Sequence, residues 1–312
     1  VIADQTPWHF LINPAAGRGK ALRRWEKWLP ALSTALPQMT VEESTSSTNL
    51  SELAEAAVRA GKTHLVGVGG DGTHHGILNG IVRAEGLRKV VYVPLPLGTG
   101  NDWVRTLKTP RTIGPWLEMV RRQKVLEHNI GQLTYLLPAL PPADPERRTT
   151  WFLNVAGMAY DAEVVRRSEK ARWKSQWLYP LLTLLYLKGF VPPTVKIEYD
   201  EQTLTLPVHT INIGIGRYSG GGMRLVPHAD PAAATLALTV AHQLPIWKII
   251  ISSWRFYTGS IGELKEVTTT HVKSVKITPV AGKTMLEADG ELLGELPLTA
   301  SMLDDRLQVL VP

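Results

Sequence analysis

The run 67–73, GVGGDGT, places Gly67, Gly69 and Gly72 in the order G-x-G-x-x-G and sets Asp71 among them. Glycines expose backbone N–H groups, and the start of the helix that follows favours an anion. A dinucleotide site would need an acidic residue about 20 positions further on, and no Asp or Glu lies between Glu85 and Asp102. A bare Asp71 would repel pyrophosphate, but it becomes useful with a divalent cation between the carboxylate and the phosphates. The loop therefore suits a metal-bound triphosphate better than a nicotinamide cofactor. The plain alternative is a tight turn that needs glycine. A second small-residue loop, 96–102 (PLGTGND), supplies Gly98, Thr99, Gly100, Asn101 and Asp102. Asn13 and Arg18 form a third cluster after the first apolar run. Each is commonplace alone, since Asn and Asp after Gly usually start a turn or cap a helix. Jointly they are far more specific.

Late in the chain, 287–291 (EADGE) follows a strand-like run. Asp-Gly is a strong hairpin signal. The chemical alternative puts two carboxylates, Asp289 and Glu291, at a turn tip, one able to take a proton from a hydroxyl. Other chemistries lack their residues. Pro14 stands where a P-loop needs its first glycine, and Ala21 where it needs Ser or Thr. The run 216–220 (GRYSG) is not G-x-S-x-G. His74 and His75 are adjacent, so on a helix they point about 100° apart and cannot chelate as an i, i+4 pair. The absence of cysteine excludes disulfides and thiolate chemistry.

The elements that must hold these loops alternate in the first half. Apolar runs at 8–12, 64–68 and 90–93 read as strands, each ending at one of the loops. A short strand is also expected at 39–43, and helices at 20–36, 49–60 and 74–84. Strand–loop–helix units argue for a parallel sheet with its ligand at the strands' carboxyl ends, where the three loops would converge. After about Leu126 the texture changes. Strand-like runs at 151–155, 195–199, 208–215, 235–241, 272–278, 284–288 and 307–311 suggest an antiparallel sandwich or barrel, interrupted by one helical block, 245–261. The length of 312 residues fits two domains, and 44% apolar content supports a sizeable core.

The net charge of +6 is compatible with an anionic membrane, a phosphorylated ligand or a nucleic acid, and selects none. Basic pairs are scattered and the tryptophans show no base-stacking track, so no nucleic-acid role is expected. No signal peptide is visible at the start. The longest apolar stretch, 177–191, falls short of the ~20 residues that cross a bilayer. It is expected to be a buried or half-buried helix, or a greasy wall that admits a lipid tail.

In order, 13–17 (NPAAG), 69–73 with Asn79-Gly80, 96–102, 152–157 (FLNVAG), 216–223 (GRYSGGGM) and 288–291 (ADGE) resemble the diacylglycerol kinase catalytic family, which includes bacterial lipid kinases, sphingosine kinases and ceramide kinases. The match spans nearly the whole chain. It implies an α/β nucleotide-binding domain with a parallel sheet over 1–127, a β-sandwich lipid domain over 128–301, and a final strand within 302–312 that returns to the first domain. The ATP site is then expected between the domains, with the γ-phosphoryl group passing to a lipid hydroxyl. The resemblance assigns Asn13, Arg18, Thr45, Gly70, Asp71, Gly72, Thr73, Gly98, Thr99, Gly100 and Asn101 to the nucleotide. Ser44 and Ser46 compete with Thr45. It assigns Asp71 and Asp102 to Mg²⁺, and Asp289 and Glu291 to deprotonation of the acceptor, without saying which is the base. An amphipathic lipid substrate, a cytoplasmic and peripherally membrane-associated protein, and an optional homodimer complete the expectation.

Three departures from the family pattern stand out. Gly76 replaces an acidic residue after GGDGT, Asn129 replaces an Asp near the domain junction, and 227–234 (PHADPAAA) has Ala where a metal loop has Asp-Gly. No structural metal is expected in that loop. The departures keep open a degenerate ATP- or lipid-binding sensor, and GGDGT alone keeps open an NAD kinase-like enzyme.

Overall fold

The computed structural model describes residues 6–45, 49–137, 146–170 and 186–312. The chain divides into two compact units, Val1–Ile130 with Asp304–Pro312, and Gly131–Leu303. These boundaries fall two or three residues beyond those read from the sequence.

The first unit is a parallel sheet with helices. Strand β1 (Trp8–Ile12) leads through a 3-10 turn (Ala16–Gly19) into helix α1 (Lys20–Ala35), and β2 (Thr40–Glu43) leads to α2 (Asn49–Arg59). Strand β3 (His64–Gly69) is followed by α3 (Asp71–Arg83), and β4 (Val91–Pro96) by α4 (Asp102–Thr106) and α5 (Ile113–Arg122). The sheet is completed by β5 (Val125–His128) and by a strand from the chain's end, Leu307–Leu310, in the order β2-β1-β3-β4-(307–310)-β5. The C-terminal strand is parallel to β4 and antiparallel to β5. Strand β1 is buried along its whole length, as is β3 beyond His64. Such continuous apolar runs are what a sheet covered on both faces requires. The chain moves from β1 to one side for β2 and returns to the other side for β3. The β1–β3 boundary is therefore a topological switch point, where open α/β sheets bind ligands.

The second unit contains β6 (Gly131–Leu137), β7 (Glu146–Phe152), β8 (Val155–Ala159), α6 (Tyr160–Lys170), β9 (Thr194–Tyr199), β10 (Gln202–Gly214) and β11 (Leu236–His242). After α7 (Ile246–Ser252) and α8 (Arg255–Thr258) come β12 (Val267–Val272), β13 (Ser274–Ala281), β14 (Met285–Ala288) and β15 (Glu291–Met302). Strands β8, β14, β15, β13, β9 and β10 pair in a closed circuit, because β10 pairs with β9 through its first half and with β8 through its second. The two layers thus join along the long strands β10 and β15. Their inner faces enclose a core that includes Phe152, Met158, Ile197, Ile211, Ile277 and Leu286.

Three local expectations change. The single strand at 151–155 is two strands, because Leu153 and Asn154 turn their N–H groups away from the ladder onto Asp289. The run 272–278 is also two strands, ending at Val272 and restarting at Ser274. The helical block 245–261 is two short helices and a 3-10 turn, Ile261–Glu263, with Gly259 in the left-handed region ending α8. Most of the apolar stretch 177–191 lies outside the described residues. Among the described residues no helix is long and apolar enough to cross a membrane.

Candidate active site

The loops after β1, β3 and β4 meet at the carboxyl end of the first unit's sheet. Asn13 closes β1: its N–H donates to Val68 O (3.1 Å) and its Oδ1 accepts the Ala15 N–H (3.1 Å). Its Nδ2 donates to Thr73 Oγ1 (3.2 Å), which also accepts the Gly70 N–H (3.3 Å). The loop after β4 is drawn in by Leu97 and Gly98, whose N–H groups both donate to Gly69 O, at 2.8 and 2.7 Å. The glycines here serve close approach. A Cβ on Gly98 would run into the Cα of Gly70, and one on Gly17 would lie 2.8 Å from Leu97 O. Gly67 has a different reason: a Cβ there would collide with the Tyr92 hydroxyl. It makes room for the core rather than for a phosphate.

Asp71 latches two of the loops. Its Oδ1 accepts the N–H groups of Asp102 (2.8 Å) and Trp103 (3.1 Å), at the first turn of α4. The Oδ2 atoms of Asp71 and Asp102 lie 2.9 and 3.8 Å from the point a Gly100 Cβ would occupy. Two carboxylate oxygens thus face one small space kept open by a glycine. Asn101 bends the chain there in the left-handed conformation, with φ 53°. Its Nδ2 donates to Gly98 O (2.8 Å), while its buried Oδ1 has no hydrogen-bond partner among the described residues.

Two arginines that the motifs did not single out surround this site. Arg105 lies 3.4 Å from Asp102 Oδ1, and Arg111 donates to Asn101 O (3.4 Å). Burial and Arg105 pull the Arg111 pKa down, while Asp102 and Asp71 push it up. Arg105 could have been found from its i+3 spacing to Asp102; Arg111 carries no such signal. The remaining expected nucleotide residues are less tightly built in. Thr99 and Thr45 are exposed, and Arg18 lies in the 3-10 turn after β1. Ser44 competes with Thr45 on firmer terms. Its N–H donates to Ile12 O (2.8 Å), and its buried hydroxyl has no hydrogen-bond partner among the described residues. Ser46 lies outside the described residues.

His74 is a core histidine. Its Nδ1 pairs with Tyr92 Oη at 2.7 Å, and burial lowers its pKa to about 3, so it stays neutral. Behind Asp71, Trp103 Nε1 donates to His128 Nε2 (2.9 Å), which leaves His128 Nδ1 to donate to the Asn129 carbonyl (2.6 Å). Asn129 itself is buried.

The second unit holds its own constellation around Asp289. Asp289 and Gly290 take φ 54° and 88° between Ala288 and Glu291, which are paired across β14 and β15. Two positive φ values in a two-residue turn are the geometry that Asp-Gly favours. Asp289 Oδ2 and Oδ1 accept the N–H groups of Leu153 (3.0 Å) and Asn154 (2.9 Å). Asn154 O accepts the N–H groups of Ile215 and Gly216, and Asn154 Nδ2 donates to Tyr218 O (2.7 Å). The motifs at 152–157, 216–223 and 288–291 are therefore one hydrogen-bonded cluster. Asp289 is buried in it and Glu291 is exposed at its edge. Glu287, beneath the turn, accepts the Gly290 N–H (2.8 Å). Burial, with Asp161 and Asp289 adding like charge, raises its pKa well above the usual carboxylate range.

Beside this cluster lies a largely apolar pocket lined by Tyr160, Val164, Leu187, Ile249 and Phe256 among others, with Asp161, His209, Thr210 and Ser252 as polar members. Burial lowers the His209 pKa to about 4, so the imidazole is neutral at neutral pH. Leu187 belongs to the described end of the expected greasy stretch. Phe190, also in that end, packs its ring on Tyr160 and His209.

Comparison with known proteins bears on both units. Residues 7–133 match the diacylglycerol kinase catalytic domain, and residues 154–311 match the YegS C-terminal NAD kinase beta sandwich-like domain. The chain is 25% identical over 316 residues to the diacylglycerol kinase of Mycobacterium tuberculosis strain H37Rv, covering 97% of this chain and 94% of that one. Its fold is similar to that of a diacylglycerol kinase from Bacillus anthracis, with a TM-score of 0.72 at 20% identity over 98% of this chain and 97% of that one. An NAD kinase from Archaeoglobus fulgidus, solved in complex with ATP, is more distant, with a TM-score of 0.52 at 14% identity over 97% and 93% of the two chains. The structural likenesses establish a shared fold. With a catalytic-domain match over the first unit and the companion domain over the second, the chain belongs to the diacylglycerol kinase catalytic family.

Proposed function

We propose that this protein is an ATP-dependent lipid kinase whose acceptor is a hydroxyl of a diacylglycerol-like or sphingoid-like lipid. The observation that carries this is the Asp71–Asp102 arrangement. Two carboxylate oxygens face the space at Gly100, beside loops packed so closely that Gly98 excludes a Cβ. Backbone N–H groups, Asn13, Thr73 and the buried Asn101 Oδ1 provide the contacts for a triphosphate and its sugar, and Arg105 and Arg111 supply positive charge. The donor set also suits Mg²⁺, which binds through one or two carboxylates plus phosphate oxygens and, when bound, neutralises charge on the phosphates. Phosphoryl transfer needs little beyond positioning and charge stabilisation. The acceptor oxygen bonds to the γ-phosphorus, the bond from that phosphorus to the β–γ bridging oxygen breaks, ADP leaves, and the hydroxyl proton passes to a carboxylate.

Glu291 is the base in this proposal and Asp289 its positioning residue. Asp289 is buried and holds two backbone N–H groups, so moving it would undo the turn. Glu291, one residue beyond Gly290, is exposed to an incoming hydroxyl. The apolar pocket lined by Val164, Leu187 and Ile249 supports an acceptor with a hydrocarbon tail, since hydrophobic side chains dominate its lining.

The test is transfer of labelled γ-phosphate from ATP with Mg²⁺ to a panel of diacylglycerols, sphingoid bases and NAD. Labelled lipid, lost in Asp71→Asn with the fold retained, supports the proposal. Labelled NADP without labelled lipid overturns it, as does nucleotide binding with no turnover on any hydroxylated lipid.

A further inference from the structure

Helices α7 and α8 follow one another so closely that 246–258 is nearly one helical segment. Ser253 N–H donates to Ile250 O, Phe256 N–H to Ser253 O and Thr258 N–H to Trp254 O across their junction. The segment has two apolar faces. Ile249, Ser252 and Phe256, at i, i+3 and i+7, line the apolar pocket. On the opposite side Ile246, Trp247, Ile250, Ile251, Trp254 and Tyr257 point outward. Trp247, Ile251 and Trp254 are 63%, 66% and 55% exposed. These six make up most of the large exposed apolar side chains among the described residues. Scattered apolar side chains on a surface need no explanation, but a contiguous stripe marks an interaction site.

We infer that this stripe is a membrane-docking surface that seats the second unit on a bilayer and brings the mouth of the apolar pocket to the lipid. This rests on the lipid-kinase reading for its purpose, but not for its physics. The residue types favour a bilayer over a protein partner. Ile250 and Ile251 form the middle of the stripe, with Trp247 on one side and Trp254 and Tyr257 on the other. Tryptophan and tyrosine prefer the headgroup level, and amphipathic segments lie in that plane with their aliphatic residues sunk below it. The charge agrees. The chain carries +6. Arg255, stacked over the Trp254 ring at 4.9 Å, is already paired with Glu263 at 2.6 Å, whereas Lys188 and Lys265 are exposed on segments that also contribute to the pocket wall. Such cations suit an anionic leaflet. The pocket is on the same helices' other face, so a segment that dips into a bilayer leaves a short apolar path for a lipid tail.

The experiment is flotation of the full chain with vesicles of phosphatidylcholine and phosphatidylglycerol, comparing wild type with Ile251→Ser/Trp254→Ser. Both positions are exposed and outside the pocket lining, so the fold should survive, and circular dichroism and urea midpoints check this. The double variant should bind these vesicles about tenfold or more weakly, since binding scales with the apolar area inserted. Pure phosphatidylcholine vesicles should bind wild type less well than the anionic mixture. Phosphorylation of a short-chain, water-soluble diacylglycerol should be unchanged in the variant, while that of a long-chain diacylglycerol in vesicles falls. Equal vesicle binding by wild type and variant overturns the inference whatever the activity. So does a wild type that ignores vesicles but sediments as a dimer that the substitutions dissociate, because a second copy then covers the stripe. Vesicle binding lost in the variant, in a protein that phosphorylates no lipid, keeps the docking surface and overturns the kinase reading alone.

Discussion

Asp71 Oδ1 accepts both the Asp102 N–H, at 2.8 Å, and the Trp103 N–H, at 3.1 Å. The carboxylate that the motif offers for catalysis thus also caps the helix after the next loop. One side chain positions the second carboxylate, Asp102, relative to itself, so the pair is preorganised by its own member.

This dual role separates two substitutions. Asp71→Asn keeps an oxygen to accept the two N–H groups but loses the charge. Its stability should fall by only about 1 kcal/mol, while the transfer rate drops by about a hundredfold or more, as for other charge-stabilising groups. Asp71→Ala removes the cap and should cost about 1–2 kcal/mol in unfolding experiments as well. An Asp71→Asn enzyme within a few fold of wild type would reduce Asp71 to a purely structural residue.

The glycines divide in the same way. Gly98→Ala would push Gly70 and Gly98 apart, and such overpacking costs about 1–3 kcal/mol. Nucleotide affinity should fall with stability, because the loops after β3 and β4 separate. Gly100→Ala places its Cβ 2.9 Å from Asp71 Oδ2 instead. It should leave the urea midpoint nearly unchanged yet weaken the dependence of activity on Mg²⁺ concentration. A common response of both variants in both measurements would show that the space at Gly100 has no special use.

How much of this was legible in the sequence depends on whether the signal was local. The strand–loop–helix units of the first unit announce themselves, because buried parallel strands such as β1 and β3 are continuous apolar runs ending in glycines. The convergence of Asn13, Thr73 and Asn101 follows from that topology. The second unit was harder. Strand β6 and helix α6 went unread, as did α5 in the first unit, and 151–155 looked like one strand, because nothing local says that Leu153 and Asn154 serve Asp289, more than 130 residues away. Arg111 joins the site through its contact with Asn101 O, a tertiary fact with no spacing signature. Glu287 was visible only as part of EADGE; its burial against Asp161 depends on the pairing of β14 with β8. The outward stripe of 246–258 was read as part of a helical block, since periodicity alone cannot tell an apolar face that is covered from one that is not.

The carboxylates at the β14–β15 turn should respond differently to neutral isosteres. In Asp289→Asn the amide nitrogen must face one of two backbone donors, Leu153 N–H or Asn154 N–H. A donor set against a donor leaves a buried group unpaired, at about 1–3 kcal/mol. The urea midpoint should therefore fall together with kcat. Glu291→Gln changes an exposed side chain, so the midpoint should hold while kcat falls by about a hundredfold or more. The reverse pattern, a stable but inactive Asp289→Asn and a nearly normal Glu291→Gln, would exchange the two roles.

Glu287 gives the protein a pH dependence with a definite sign. Burial, then Asp161 and Asp289, raise its pKa well above the usual 4.5. Below that usual value both folded and unfolded chains carry the proton, and Glu287 takes nothing from stability. As pH rises past it, the unfolded chain releases the proton while the folded chain holds on, so unfolding is increasingly favoured until the folded pKa is reached. Glutamine cannot ionise, and its side-chain oxygen can still accept the Gly290 N–H. Glu287→Gln should therefore unfold at a higher urea concentration than wild type at neutral pH, and at the same concentration below pH 4.5. Urea titrations at the two pH values measure this directly. Equal midpoints at neutral pH would mean that Glu287 is ionised in the folded protein and that Asp161 and Asp289 do not hold its proton in place.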